Sequence, residues 1–232
     1  MDQRDADALR QRFGQWAYCI AQGRRTALVK TYKQSGAAID ADRCALVVVH
    51  IEEMTVEPGY LMDVVGMYDP SLPAQRTRRL ESTVWPNLEK LIGFFRGRQR
   101  PIVFTHVGKA GIHPRLGPLR ATGEWAILTI GDVFLDSQLE AILKENAIET
   151  VFLCGVETSH CVAFSTFGAM SRGYQAIVVE DATADPRPDH FEAILKVLGL
   201  HALVKTTDEV VGDYPWENWI APQGAPAAPS GV

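Results

Sequence analysis

Residues Cys44 to Val49 read C-A-L-V-V-V, apolar at every position and β-branched in the second half. Such a run has no face to offer water. It reads as a strand buried on both sides, in a parallel sheet with helices on each face. Similar short runs at 101–106, 125–130, 150–154, 175–179 and 202–205 are spaced through the chain. Between them, apolar residues recur at helical spacing. The segment 75–97 carries Leu80, Val84, Leu88, Leu91, Ile92 and Phe95 on one face, and 135–145, the stretch to about 172 and 189–198 follow the same pattern. Strands alternating with helices need right-handed crossovers. The expectation is an α/β fold, three-layer and Rossmann-like, with a mainly parallel sheet of about six strands.

Two ends flank this pattern. Leu9, Phe13, Trp16, Ala17 and Ile20 predict an amphipathic helix over 5–22, within an N-terminal helical extension at 1–37. The domain itself is expected over 38–210, and 211–232, ending in APQGAPAAPSGV, reads as a low-complexity tail. Lys and Arg number 23 against 28 Asp and Glu in 232 residues, a net charge of -5. That mixed, weakly acidic surface lacks the concentrated basic face that nucleic acid requires. No apolar run is long enough to cross a bilayer, and the charged start MDQRDADALRQR is unlike a signal peptide, so a cytoplasmic protein is expected. The four cysteines, Cys19, Cys44, Cys154 and Cys161, form no CxxC pair, which suits free thiols in a reducing compartment.

In open parallel sheets, functional residues gather at the C-terminal ends of strands. Those ends deliver His50 with Glu52 and Glu53, His106, Thr129 with Asp132, the stretch 155–161, and Asp181. Cys161 closes the turn Gly-Val-Glu-Thr-Ser-His-Cys and opens a helix, where unpaired N–H groups and the helix dipole favour a thiolate. The backbone N–H groups of His160 and Cys161 are candidates for an oxyanion hole. His50 is a candidate base for the thiol, with Glu52 or Asp132 orienting its ring. His106, Glu157 and Trp125 are candidate substrate contacts. Arg115 and Arg120 lie in the Gly- and Pro-rich loop 107–123, which is long enough to be functional.

The stretch LEAILKENAIETVFLCGVETSHCVAFSTFGAMSRGYQAIVVEDATAD resembles the isochorismatase-like cysteine hydrolases, with their G-V-x-T-x-x-C-V turn and later D-A motif. WPNLEKLIGFFRGRQRPIVFTH and IDADRCALVVVHIEEM are similar to that family's second helix–strand unit and first strand, so the likeness covers roughly 38–210. The resemblance implies an Asp–Lys–Cys triad, a cis peptide at 156–157 or 157–158, and a homodimer or homotetramer. Cys161 matches the triad's nucleophile. His50 stands where the family has Asp, and Leu128 or Thr129 where it has Lys.

The expected function is therefore hydrolysis of an amide or ureido C–N bond in a small molecule through Cys161. His50 replaces the Asp, Glu52, Asp132 and Thr129 support it, and no cofactor is implied. Two alternatives remain open: a metal-dependent variant using His50, His106 and Cys161, and a non-hydrolytic binding, pathway or scaffold protein.

Overall fold

A computed structural model describes residues 39–57, 59, 66–67, 69–216 and 219. The N-terminal extension, with its expected helix at 5–22, lies outside the described residues, as do Tyr60 and Tyr68.

The strands are β1 (Cys44–Val49), β2 (Ile102–His106), β3 (Glu124–Leu128), β4 (Thr150–Val156), β5 (Gln175–Ala184) and β6 (Leu203–Lys205). They form one six-stranded sheet in the order β3-β2-β1-β4-β5-β6, and every neighbouring pair is parallel. The order reverses between β1 and β4, the switch point at which open α/β sheets build their sites. All six residues of β1 are buried, as a strand with apolar side chains on both faces must be.

Helices cover each face. A short α1 (Glu53–Val56) follows β1. Then α2 (Leu72–Arg79) runs through a π-helical turn (Leu80–Val84) into α3 (Trp85–Gly97) as one continuous rod. Pro86 near the start of α3 has no N–H to give, which suits the wider winding just before it. Leu80, Val84, Leu88, Leu91, Ile92 and Phe95 all turn inward, as their spacing predicts, and pack with Leu46, Val48, Phe104 and Phe152. On the opposite face α4 (Leu139–Glu145) and α5 (Ala163–Ser171) cover Ala45, Val47, Val49 and Val103. The remaining helices are α6 (Pro188–Leu198) and α7 (Thr207–Gly212).

The packed domain reaches past residue 210, where its end was expected. Trp216 is 1% exposed in the core, and its indole N–H donates to the Val210 carbonyl at 2.8 Å. Two other differences matter for the site. The third strand ends at Leu128 rather than 130, and β4 and β5 run to 156 and 184. Part of the added length of β5 is a register shift against β4 between Leu153 and Gly155. Gly155 has φ +109, and a Cβ there would sit 2.1 Å from the Val49 carbonyl oxygen. Only glycine lets β4 come this close to β1. No described helix is long and apolar enough to cross a membrane.

Candidate active site

β1 ends at Val49, and His50 turns the chain with φ +50, a conformation that His tolerates better than most non-glycine residues. Its N–H is held at 3.1 Å by both the carbonyl and the hydroxyl oxygen of Thr105 on β2. Thr55 of α1 donates its hydroxyl to the His50 carbonyl at 2.5 Å. Fixed from three elements, the imidazole is 2% exposed, and its Nε2 lies 2.8 Å from Thr129 Oγ1. Thr129 is itself pinned just beyond β3 by donation of its N–H to the His106 carbonyl at 2.9 Å.

His50, expected in the Asp position, and Thr129, which shares the candidacy for the Lys position with Leu128, are in hydrogen-bond contact. Burial above all, with repulsion from His106 and His160, lowers the His50 pKa to about 4. At neutral pH His50 is uncharged. His50, the candidate base for the thiol, has its Nε2 on Thr129.

The expected supports of that ring have other partners. The Glu52 carboxylate is 1% exposed and accepts the N–H groups of Val107 and Gly108, each at 2.8 Å, tying α1 to the end of β2. Asp132 accepts the Phe134 N–H at 3.0 Å, lies 3.7 Å from Arg172 and packs against Gly168. Neither orients His50. His106 is half-buried with Nδ1 2.8 Å from the Gly108 carbonyl. Among the described residues no group of three or more His, Cys, Asp or Glu is arranged to hold a metal ion.

Cys161 enters from the other side of the switch point. After β4 come a cis peptide at Val156–Glu157, one of the two bonds where it was expected, and a π-helical turn (Thr158–Val162) leading into α5. Ser159 N–H donates to Asp185 Oδ2 at 2.7 Å, which fixes the turn to the segment after β5. The thiol is half-buried, with the His160 Nδ1 3.5 Å from its Sγ. Neighbours in sequence do not face each other on a regular α-helix, and π turns recur at functional sites. Burial raises the Cys161 pKa, and hydrogen bonding from the backbone of Glu157, Gly131 and Cys161 opposes this without reversing it. This upward direction is opposite to the one expected from the helix N-terminus. Cys44 and Cys154 are fully buried, and burial drives the Cys44 thiol to about 12 and that of Cys154 higher.

Of the two expected oxyanion donors, the His160 N–H is engaged with the Glu157 carbonyl at 3.2 Å. The Glu157 side chain pairs with Arg76 of α2, which is 2% exposed and was not singled out from the sequence. Burial, helped by Asp185, outweighs the pull of that guanidinium and holds the Glu157 carboxyl up at about 7. Trp125 pairs in register with Val103, three residues and about 10 Å short of the strand ends. Arg115 is bound to Glu81 and Glu89, and Arg120 to Glu124. Asp181 accepts the N–H and hydroxyl of Thr207 at 2.8 and 2.7 Å, capping α7.

Residues 73–209 match the family model described as the isochorismatase domain. An uncharacterized isochorismatase family protein, YrdC of Bacillus subtilis, is 31% identical over 98 residues, 37% of this chain and 52% of that protein. Maleamate amidohydrolase of Pseudomonas putida is 30% identical over 84 residues, 36% of this chain and 37% of that one. The chain thus spans about half or less of the length of the curated relatives it matches. An isochorismatase-like hydrolase from Alkaliphilus metalliredigens superposes with a TM-score of 0.61 at 24% identity, over 74% of this chain and 99% of that one. N-carbamoylsarcosine amidase from Thermoplasma acidophilum does so with a TM-score of 0.54 at 25% identity, over 72% and 98%.

Proposed function

Because the chain belongs to the isochorismatase family, we propose that it is a hydrolase that opens an amide or ureido C–N bond in a small molecule, with Cys161 as nucleophile. The observation that carries this reading is the placement of a half-buried thiol at the reversal between β1 and β4, in the turn that follows β4. Two relatives whose names specify an amide and an N-carbamoyl compound support the choice of bond.

In the proposed reaction the thiol loses its proton to a neighbouring imidazole and Sγ adds to the substrate carbonyl carbon. The charge on the carbonyl oxygen is taken up by backbone N–H groups of the turn at His160 and Cys161, with His160 giving up its bond to Glu157. Collapse breaks the C–N bond, and the departing nitrogen takes the proton. Water then cleaves the thioester and regenerates the thiol. His50 and Thr129 keep the floor of the site neutral and rigid, and His106 and Glu157 are proposed to contact substrate.

Intact-mass spectrometry after incubation with a panel of amides and ureides tests the reading. Turnover, together with an acyl adduct on Cys161 that Cys161→Ala loses, is expected. Neither turnover nor adduct across the panel would favour a non-hydrolytic role.

A further inference from the structure

We propose that His160, the residue immediately before the nucleophile, is the group that takes the Cys161 proton and returns it to the leaving nitrogen. This rests on the hydrolase reading and deepens it. Of the ionisable groups that the strand ends deliver, Glu157 is paired with Arg76, Asp181 caps α7, and four more have other partners. His50 Nε2 lies on Thr129, Glu52 holds two backbone N–H groups, His106 Nδ1 faces the Gly108 carbonyl, and Asp132 is tied to Phe134 and beside Arg172. Among the described residues, only the His160 ring has a nitrogen on the thiol, at 3.5 Å, a normal separation for a hydrogen bond to sulfur.

The ring is suited to the task. It is exposed, so added base and water can reach it, whereas His50 is 2% exposed and driven neutral by burial. Phe164, one turn along α5, packs edge-on against it at 4.8 Å between ring centres and fixes its orientation. Glu157, Ser159, Asp185, Arg187 and His190 line a pocket of about 290 Å³ with it, and His50 lies near enough to feel its charge. Asp185 accepts the Ser159 and Arg187 N–H groups, and Arg187 is paired with Asp189.

The proton balance closes. The thiol S–H proton passes to His160 Nδ1 as the C–S bond forms. The same proton goes to the amine or ureido nitrogen as C–N breaks. In the second half a water proton passes to Nδ1 as its oxygen attacks the thioester, and the proton returns to Sγ when C–S breaks.

The test uses the full chain with Cys19→Ser, so that Cys161 is the reactive thiol, and iodoacetamide as the probe, with the modified site read by peptide mass. An isolated thiol alkylates about tenfold more slowly for each pH unit below its pKa. With His160 the rate between pH 6 and 8 should stay above that line. His160→Ala should fall onto it, and added imidazole should lift it again, because the site is open to solvent. A His160→Ala profile identical to wild type, or no rescue by imidazole, overturns the proposal. Where alkylation depends on His160 but the amide and ureide panel gives neither adduct nor turnover, the pair stands and the hydrolase reading fails.

Discussion

Acidifying the protein from pH 7.5 to 4.5 tests the charge state of His50 without any substrate. Folding lowers its pKa from 6.5 to about 4, chiefly through burial. Between those values the unfolded chain holds a proton that the folded chain refuses, so stability is full above pH 6.5 and falls as pH drops toward 4. The shift of about 2.5 units, at about 1.36 kcal/mol per unit, sets a ceiling near 3 kcal/mol, of which about 2.5 kcal/mol is expended by pH 4.5. His50→Gln can still reach the Thr129 hydroxyl but does not titrate. Urea unfolding of both proteins at the two pH values isolates His50, because every other titrating group is common to them. Wild type should lose about 2.5 kcal/mol more than the Gln variant on acidification. Parallel losses, within about 0.5 kcal/mol, would refute the buried neutral imidazole. A wild type that gains relative to the variant would mean that His50 is an imidazolium paired with the thiolate.

The remaining expectations concern how the site is built. His50→Asp and Thr129→Lys should each destabilise the fold by about 3–5 kcal/mol, since each leaves a charge without a partner at a buried site. The double variant should recover more than 1 kcal/mol of the summed loss, and additivity in urea unfolding would show that the two positions do not form one pair. Gly155→Ala should cost about 2–4 kcal/mol, because φ +109 and a Cβ 2.1 Å from the Val49 oxygen force β4 away from β1; a loss under about 1 kcal/mol would contradict the close approach. Trp216→Ala should cost about 3–5 kcal/mol although it lies beyond residue 210, and an unchanged melting temperature would place the domain end where the sequence pattern put it.

The sheet was legible because its strands carry their burial in their own composition. Cys44–Val49 has no polar face, so no other arrangement would cover it, and the spacing of Leu80, Val84, Leu88 and Leu91 fixes which side of the rod faces inward. The turn ending at Cys161 was legible too, since a strand, a glycine and a helix start are local patterns. Strand lengths were less so: the register shift beside Gly155 is made between β4 and β5, and neither strand encodes it alone. Partnerships across the site escaped the sequence altogether. His50 lies 79 residues from Thr129, Glu52 lies 56 from Gly108, and Arg76 lies 81 from Glu157. A sequence lists which groups can hydrogen-bond, but which of them meet is set by how the strand ends converge. Titration behaviour is decided at the same level, because desolvation depends on what surrounds a group in space. An imidazole read as a base from its type has its pKa lowered by burial, and the ring found against the thiol is that of its neighbour in sequence.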